Sequence, residues 1–249
     1  MKKIALLSAL FCLMLSAATA QNIRFGLHAS PTWSWLKTDD KFLENASANW
    51  GVKLGVIGEK YFTSNYAFFT GIGFAFNHGG TLQTGYANYR PWLDSDLTVS
   101  LDETDAKSLP QNSKLRYSLT YVEVPFGLKM RGGTNENSPI KFFAEAPVIT
   151  LGFLTKAAGD IRGAGTAFDT QDEKIRDDVK GLGLSWGAGG GIEYELATHT
   201  TLVGGLYYQS QFSDVTSKGR ARRTVNDQWI DEKAKTSMRA ISLRIGVMF

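Results

Sequence analysis

Eight segments of this sequence alternate apolar and polar side chains with a period of two, and the connections between them alternate long and short without exception. A period of two is the signature of a half-buried strand rather than a helix. The segments are 22–36, 50–62, 66–76, 115–130, 140–154, 181–196, 200–212 and 236–249. Most reach or exceed the roughly 9–11 residues that a tilted strand needs to cross a bilayer. The connections 37–49, 77–114, 155–180 and 213–235 are long, whereas 63–65, 131–139 and 197–199 are short. Outer-membrane barrels combine an even strand number with long external loops and short periplasmic turns. A soluble sandwich has no reason to gather its long loops at one end. The pattern predicts an all-β fold: an eight-stranded antiparallel transmembrane β-barrel with short periplasmic turns and long extracellular loops. Charge agrees, because 18 of the 24 acidic residues lie in the four long connections. A soluble, lipocalin-like barrel is the competing reading.

The first 20 residues are set apart as a cleaved signal peptide, leaving 21–249 as the barrel domain. Lys2 and Lys3 form a positive start, Ile4 to Leu15 an apolar run, and Ala18-Thr19-Ala20 a small-residue cleavage site. The run is shorter than the roughly 20 residues of a spanning helix. Cys12, the sole cysteine, lies in this leader, so the mature chain can form neither a disulfide nor a thiolate metal site. Cutting after Ala20 leaves 25 basic against 24 acidic residues. That balance gives no electrostatic footprint for nucleic acid.

If the apolar faces meet lipid, the opposite faces point inward. Arg24, Lys53, Glu123, Glu193 and Arg244 are thereby assigned to the lumen, with Glu145 beside them. An eight-stranded barrel is only wide enough for side chains to fill it. Charges in such a core must be paired, since an isolated buried charge is costly. The balanced signs suggest a closed, salt-bridged interior, with a narrow pore as the alternative. Glycines 51, 55, 71 and 73 on the inward face would make room for the long side chains. Pro125 and Pro147 interrupt strand patterns and are expected at bulges, Pro125 nearer the periplasmic rim. Trp33, Trp35 and Trp50 at one end, with Tyr61, Phe62, Tyr66, Phe142 and Tyr194 at the other, are expected as interfacial girdles. Phe249 ends the chain on the apolar face of the last strand. A terminal aromatic there resembles the signal read by the barrel-assembly machinery.

Tyr121-Val122-Glu123-Val124-Pro125-Phe126-Gly127-Leu128-Lys129 resembles the Tyr-x-Glu-aliphatic-Pro-x-x-x-Lys stretch of the PorT-like outer-membrane β-barrel family of Gram-negative bacteria. Phe25-Gly26-Leu27, Phe69-Thr70-Gly71-Ile72-Gly73 and the run Gly187 to Glu193 look like further strands of that family. Ala146-Pro147 departs from it, since members often carry Gly-Pro there. The resemblance implies a barrel without an assigned activity for most members. Its namesake serves protein export by the type IX secretion system, so secretion components are possible partners. Outer-membrane lipid and lipopolysaccharide are the other expected partners, and the chain is expected to be a monomer.

Chemistry is thinly represented. Small outer-membrane barrels that modify lipids use His, Ser and an acid near the outer rim. Of His28, His78 and His199, only His78, at the start of the longest connection, is expected at the outer surface, and no nucleophile motif accompanies it. Asp94-Ser95-Asp96 and Asp102-Glu103-x-Asp105 lack the glycine and terminal glutamate of an EF-hand loop. Arg220, Arg222 and Arg223 could meet lipopolysaccharide phosphates or pair with Asp227, Asp231 and Glu232. The expectation is therefore a non-enzymatic barrel with no catalytic residue, cofactor or metal, acting through its loops in envelope integrity or binding.

Overall fold

A computed structural model describes residues 23–87, 89–98, 109–133, 138–163, 165, 168–216, 221–223, 229–231 and 235–249. The leader lies outside the described residues, as do the side chains of Asp102, Glu103, Asp105, Arg220, Arg222, Arg223, Asp227, Asp231 and Glu232. Twelve strands follow in order: β1 (Ile23–Thr38), β2 (Leu43–Tyr61), β3 (Tyr66–Thr84), β4 (Tyr89–Arg90), β5 (Lys114–Gly133), β6 (Ile140–Arg162), β7 (Thr170–Lys174), β8 (Leu182–Ala197), β9 (Thr200–Gln211), β10 (Ala221–Arg223), β11 (Trp229–Asp231) and β12 (Thr236–Met248). Eight of them form one antiparallel ring in the order β5-β3-β2-β1-β12-β9-β8-β6, closed by pairing of β6 with β5. Closure satisfies every strand edge, which a bilayer demands. The short β7 pairs with the upper end of β6, and β4, β10 and β11 make a small separate sheet.

Most strands keep the bounds of the periodic segments to within three residues, but β2, β3 and β6 overrun theirs at the outer end. β2 begins at Leu43, β3 continues to Thr84, and β6 continues to Arg162. The first long connection shrinks to a turn around Asp40, whose carboxylate accepts from the Phe42 N–H at 2.8 Å. The cause lies in what the outward face meets. On β5, Val122, Val124, Phe126, Leu128 and Met130 point outward, but above them the same face carries Thr120, Ser118 and Arg116. The hydrogen-bonded ladder continues, through one-residue bulges, while the hydropathy contrast reverses. From Tyr66 to Phe76 on β3 the apolar belt is about 25 Å tall for strands tilted roughly 40°. β3 rises about another 20 Å beyond it by the same geometry, and β2, β5 and β6 continue in the same ladder.

Irregularities cluster at this change of environment. An extra residue enters β3 between Ala75 and His78, and β6 carries one at Thr155, opposite the Thr120–Tyr121 step. Pro147 sits at a register shift between Glu145 and Val148, as expected. Pro125 does not: it holds regular register opposite Thr150, and it lies farther from the periplasm than Pro147. The missing N–H of Pro125 faces β3, where no pair forms between Thr70 and Gly73. Lacking one bond there is less disruptive than shifting the whole ladder.

Candidate functional site: an ion-paired lumen beneath an apolar plug

The inward face of the membrane-embedded half carries charge in three tiers. In the periplasmic tier, the buried Lys129 ammonium bridges Glu59 and Glu193 at 2.5 Å each. Arg24 meets Glu193 at 3.4 Å, and Arg131 reaches the same carboxylate at 3.8 Å. Tyr61 donates its hydroxyl to Glu59 at 3.0 Å, and its ring lies 4.0 Å from the Arg131 guanidinium. In the middle tier, Arg244 pairs with Glu145 at 3.1 Å, donates to the Tyr207 hydroxyl at 2.8 Å and stacks over that ring. Tyr207 fits because Gly189 faces it: a Cβ there would lie 2.2 Å from the ring. In the upper tier, Lys53 pairs with Glu123 at 2.8 Å and donates to Gln209 at 2.5 Å. Gln209 in turn donates to Ser185 at 2.7 Å.

The six lumen candidates thus all point inward, and the structure joins them as Arg24–Glu193, Lys53–Glu123 and Arg244–Glu145. Of the Tyr-x-Glu-x-Pro-x-x-x-Lys stretch, Glu123 and Lys129 anchor two different tiers, and Tyr121 is buried above them. Glu59 and Arg131 escaped the sequence reading. Glu59 is in phase with Lys53 on the same strand, so the alternation marks it. Arg131 continues the phase of Lys129, but past the segment boundary at 130. Tyr61 is a correction: it faces the lumen rather than a girdle, because the phase that turns Lys53 and Glu59 inward includes it. Trp50, Phe62, Tyr66, Phe142 and Tyr194 do lie exposed at the belt margins.

Among the described residues two cavities interrupt this packing. One of about 70 Å³ is bordered by His28, Lys53, Glu123, Gln209 and Arg244; the other, about 10 Å³, lies among Glu59, Lys129, Glu145 and Arg244. Spaces of this size hold a few waters at most. Gly55 opens the first to His28, whose Nε2 would meet a Cβ there at 2.7 Å.

Above Tyr121 the interior becomes apolar. Leu115, Tyr117, Leu119, Leu154, Ala157 and Ile161 from the wall meet Tyr89, Trp92 and Leu109 from the second long connection. Ile175, Val179 and Val215 come from the third and fourth. Trp92 packs edge-on against Tyr117 with centroids 5.5 Å apart, over Gly159, where a Cβ would come 2.6 Å from the indole. His78 is not at the outer surface. The extended β3 carries it into this interior, fully buried, with neither ring nitrogen meeting a hydrogen-bond partner among the described residues. No serine or acid among the described residues hydrogen-bonds it, the contact by which a base activates a nucleophile. Among the described residues no three His, Cys, Asp or Glu side chains gather as metal ligands.

The chain resembles Neisserial surface protein A at 11% identity, covering 91% of this chain and 96% of that one, with a TM-score of 0.41. The outer membrane protein OprG of Pseudomonas aeruginosa matches at 11% identity over 92% and 97%, with a TM-score of 0.42. Ail, the attachment invasion locus protein of Yersinia pestis, matches at 12% identity over 91% and 98%, with a TM-score of 0.38. No curated protein matches the sequence. The sequence model described as outer membrane protein beta-barrel domain matches residues 19–217. With a closed ring of eight strands, a lipid-facing apolar belt and this match over most of its length, the chain belongs to the outer membrane protein beta-barrel domain family.

Proposed function

We propose that this chain is a non-conducting, non-enzymatic barrel of the PorT-like group that acts through the structure it raises above the outer membrane. The observation that carries the reading is the apolar plug. Trp92, Tyr89, Leu109, Ile175 and Val179 descend from the extracellular connections and fill the barrel above the ion-paired tiers. Charged tiers alone could line a passage, but an apolar stopper of this depth leaves no wetted route through it. The Tyr121-x-Glu123-x-Pro125-x-x-x-Lys129 stretch supports the PorT-like assignment, because two of its four residues build the lumen network. In this reading residues 1–20 are removed on export, Phe249 serves the assembly machinery, and the barrel works as a monomer. The protruding connections carry the contact with envelope partners.

Single-channel recording in planar bilayers tests the reading. The purified barrel is expected to give no conductance steps at high protein load. A variant with Trp92→Ala and Tyr89→Ala should begin to flicker open. Regular steps from the unaltered chain would replace this reading with a narrow porin.

A further inference from the structure

We propose that the seam between β1 and β12 carries a site for a phosphorylated lipid headgroup of the outer leaflet, the lipid A phosphates of lipopolysaccharide. Lys37 and Arg239 both point outward just above the apolar belt, and the register places them diagonally across one antiparallel pair: Trp35 opposite Arg239, Lys37 opposite Ser237. Such diagonal neighbours lie within reach of long side chains. Arg239 is half-buried, its Nε is shielded from solvent, and that nitrogen meets no acceptor among the described residues. Among the described residues neither cation has an acid within ion-pair distance, yet two like charges side by side repel unless something neutralises them.

The opposite wall provides the contrast. There three outward cations meet acids within the protein: Arg116 with Asp160 at 3.4 Å, Arg162 with Asp160 at 3.3 Å and Lys156 with Asp172 at 3.2 Å, while Lys114, opposite Arg162, meets none among the described residues. The β5–β6 face thus carries its own acids at this level, whereas Lys37 and Arg239 have none within ion-pair distance among the described residues. The level is that of a headgroup. Trp35 is the direct neighbour of Arg239, Trp33 pairs with Trp50 below with ring centroids 4.1 Å apart, and Ser210, opposite Arg239, is itself opposite Trp186. Tryptophan rings of this kind sit at the membrane–water interface. An arginine held among them presents a guanidinium fork to a phosphate at the depth where lipid A carries it. Outer-leaflet lipid A supplies that phosphate.

The test counts lipid by native mass spectrometry on the full chain extracted from outer membranes in mild detergent. The unaltered protein should retain lipid A. The double variant Lys37→Gln/Arg239→Gln should retain at least roughly tenfold less, and Arg116→Gln should match the unaltered protein. Each variant is first checked for a heat-dependent gel shift, so that loss of binding is not loss of fold; Lys37→Gln, at an exposed site, gives an intermediate loss with no folding risk. On rebinding, lipid A with both phosphates should outcompete its dephosphorylated form, phosphatidylglycerol and inorganic phosphate. Retention unchanged in the double variant, equal binding of dephosphorylated lipid A or phosphatidylglycerol, or displacement by inorganic phosphate alone would each overturn the proposal.

Discussion

The barrel has two halves with opposite polarity. In the membrane half, Val122, Val124 and Phe126 face outward while Glu123 and Lys129 face inward; in the outer half, Ser118 and Arg116 face outward while Leu119, Tyr117 and Leu115 face inward. One strand, β5, crosses both, its pairing to β6 stepping once at Thr155 and once between Gly127 and Lys129, beside Pro147. The backbone ladder is therefore indifferent to the environment, and the side chains alone state which solvent surrounds each half. Where lipid is outside, burial of apolar groups gains nothing from facing inward, and the interior can hold ion pairs. Where water is outside, the same ring must make a hydrophobic core as a soluble protein does. The second, third and fourth extracellular connections contribute to that core as filling.

The two halves should break differently. Lys129→Met carries the largest expected effect, because it strands Glu59 and Glu193 as buried carboxylates without their shared cation. The loss should be about 3–5 kcal/mol, read from urea unfolding of the barrel in lipid vesicles. Adding Glu59→Gln and Glu193→Gln should recover most of it, since the cost lies in the unpaired charges rather than in the missing ammonium. A single mutant as stable as the parent would show that water, not Lys129, satisfies those acids. Trp92→Ala comes next, at about 3 kcal/mol for an emptied aromatic site. Its effect should stay in the outer half: amide exchange should accelerate at the outer ends of β3, β5 and β6, while the gel shift of the intact barrel persists. Acceleration spread equally through the belt would mean that the halves are one cooperative unit.

Legibility in the sequence followed the same division. The membrane half was readable because lipid enforces alternation: Leu54 and Val56 outward, Lys53 and Gly55 inward. It also fixed the inward placement of Arg24, Lys53, Glu123, Glu145, Glu193 and Arg244. What the alternation could not show was which charge meets which, since Lys53 and Glu123 are 70 positions apart and meet only across the intervening strand β3. The outer half was hidden. Residues 77–84 read as a polar loop because His78, Gly79, Gly80, Thr81 and Gln83 carry no apolar stripe, although Leu82 points inward and the ladder to β5 persists. His78 was misplaced for that reason. The plug was equally opaque, because Trp92 and Leu109 are isolated apolar residues in a long connection and their common destination is set by tertiary packing.

The finest test of the division is a charge moved along one outward face. Ile149 and Thr155 both point outward from β6, the first within the belt and the second just above it. Ile149→Arg places a guanidinium against acyl chains and should cost about 2–4 kcal/mol near the bilayer midplane. Thr155→Arg places the same group in water and should change stability by less than about 0.5 kcal/mol. The two differ in depth but share strand, direction and chemistry, so packing on the inner side contributes little to the difference. Measured by unfolding from vesicles, a small effect at both positions would mean that the belt ends lower than Ile149. A large effect at both would raise the lipid boundary above the Thr155 bulge, and would then put the headgroup level beyond Arg239 as well. The expected contrast instead places the boundary between Ile149 and Thr155, the stretch over which β5 exchanges an inward Glu123 for an inward Leu119.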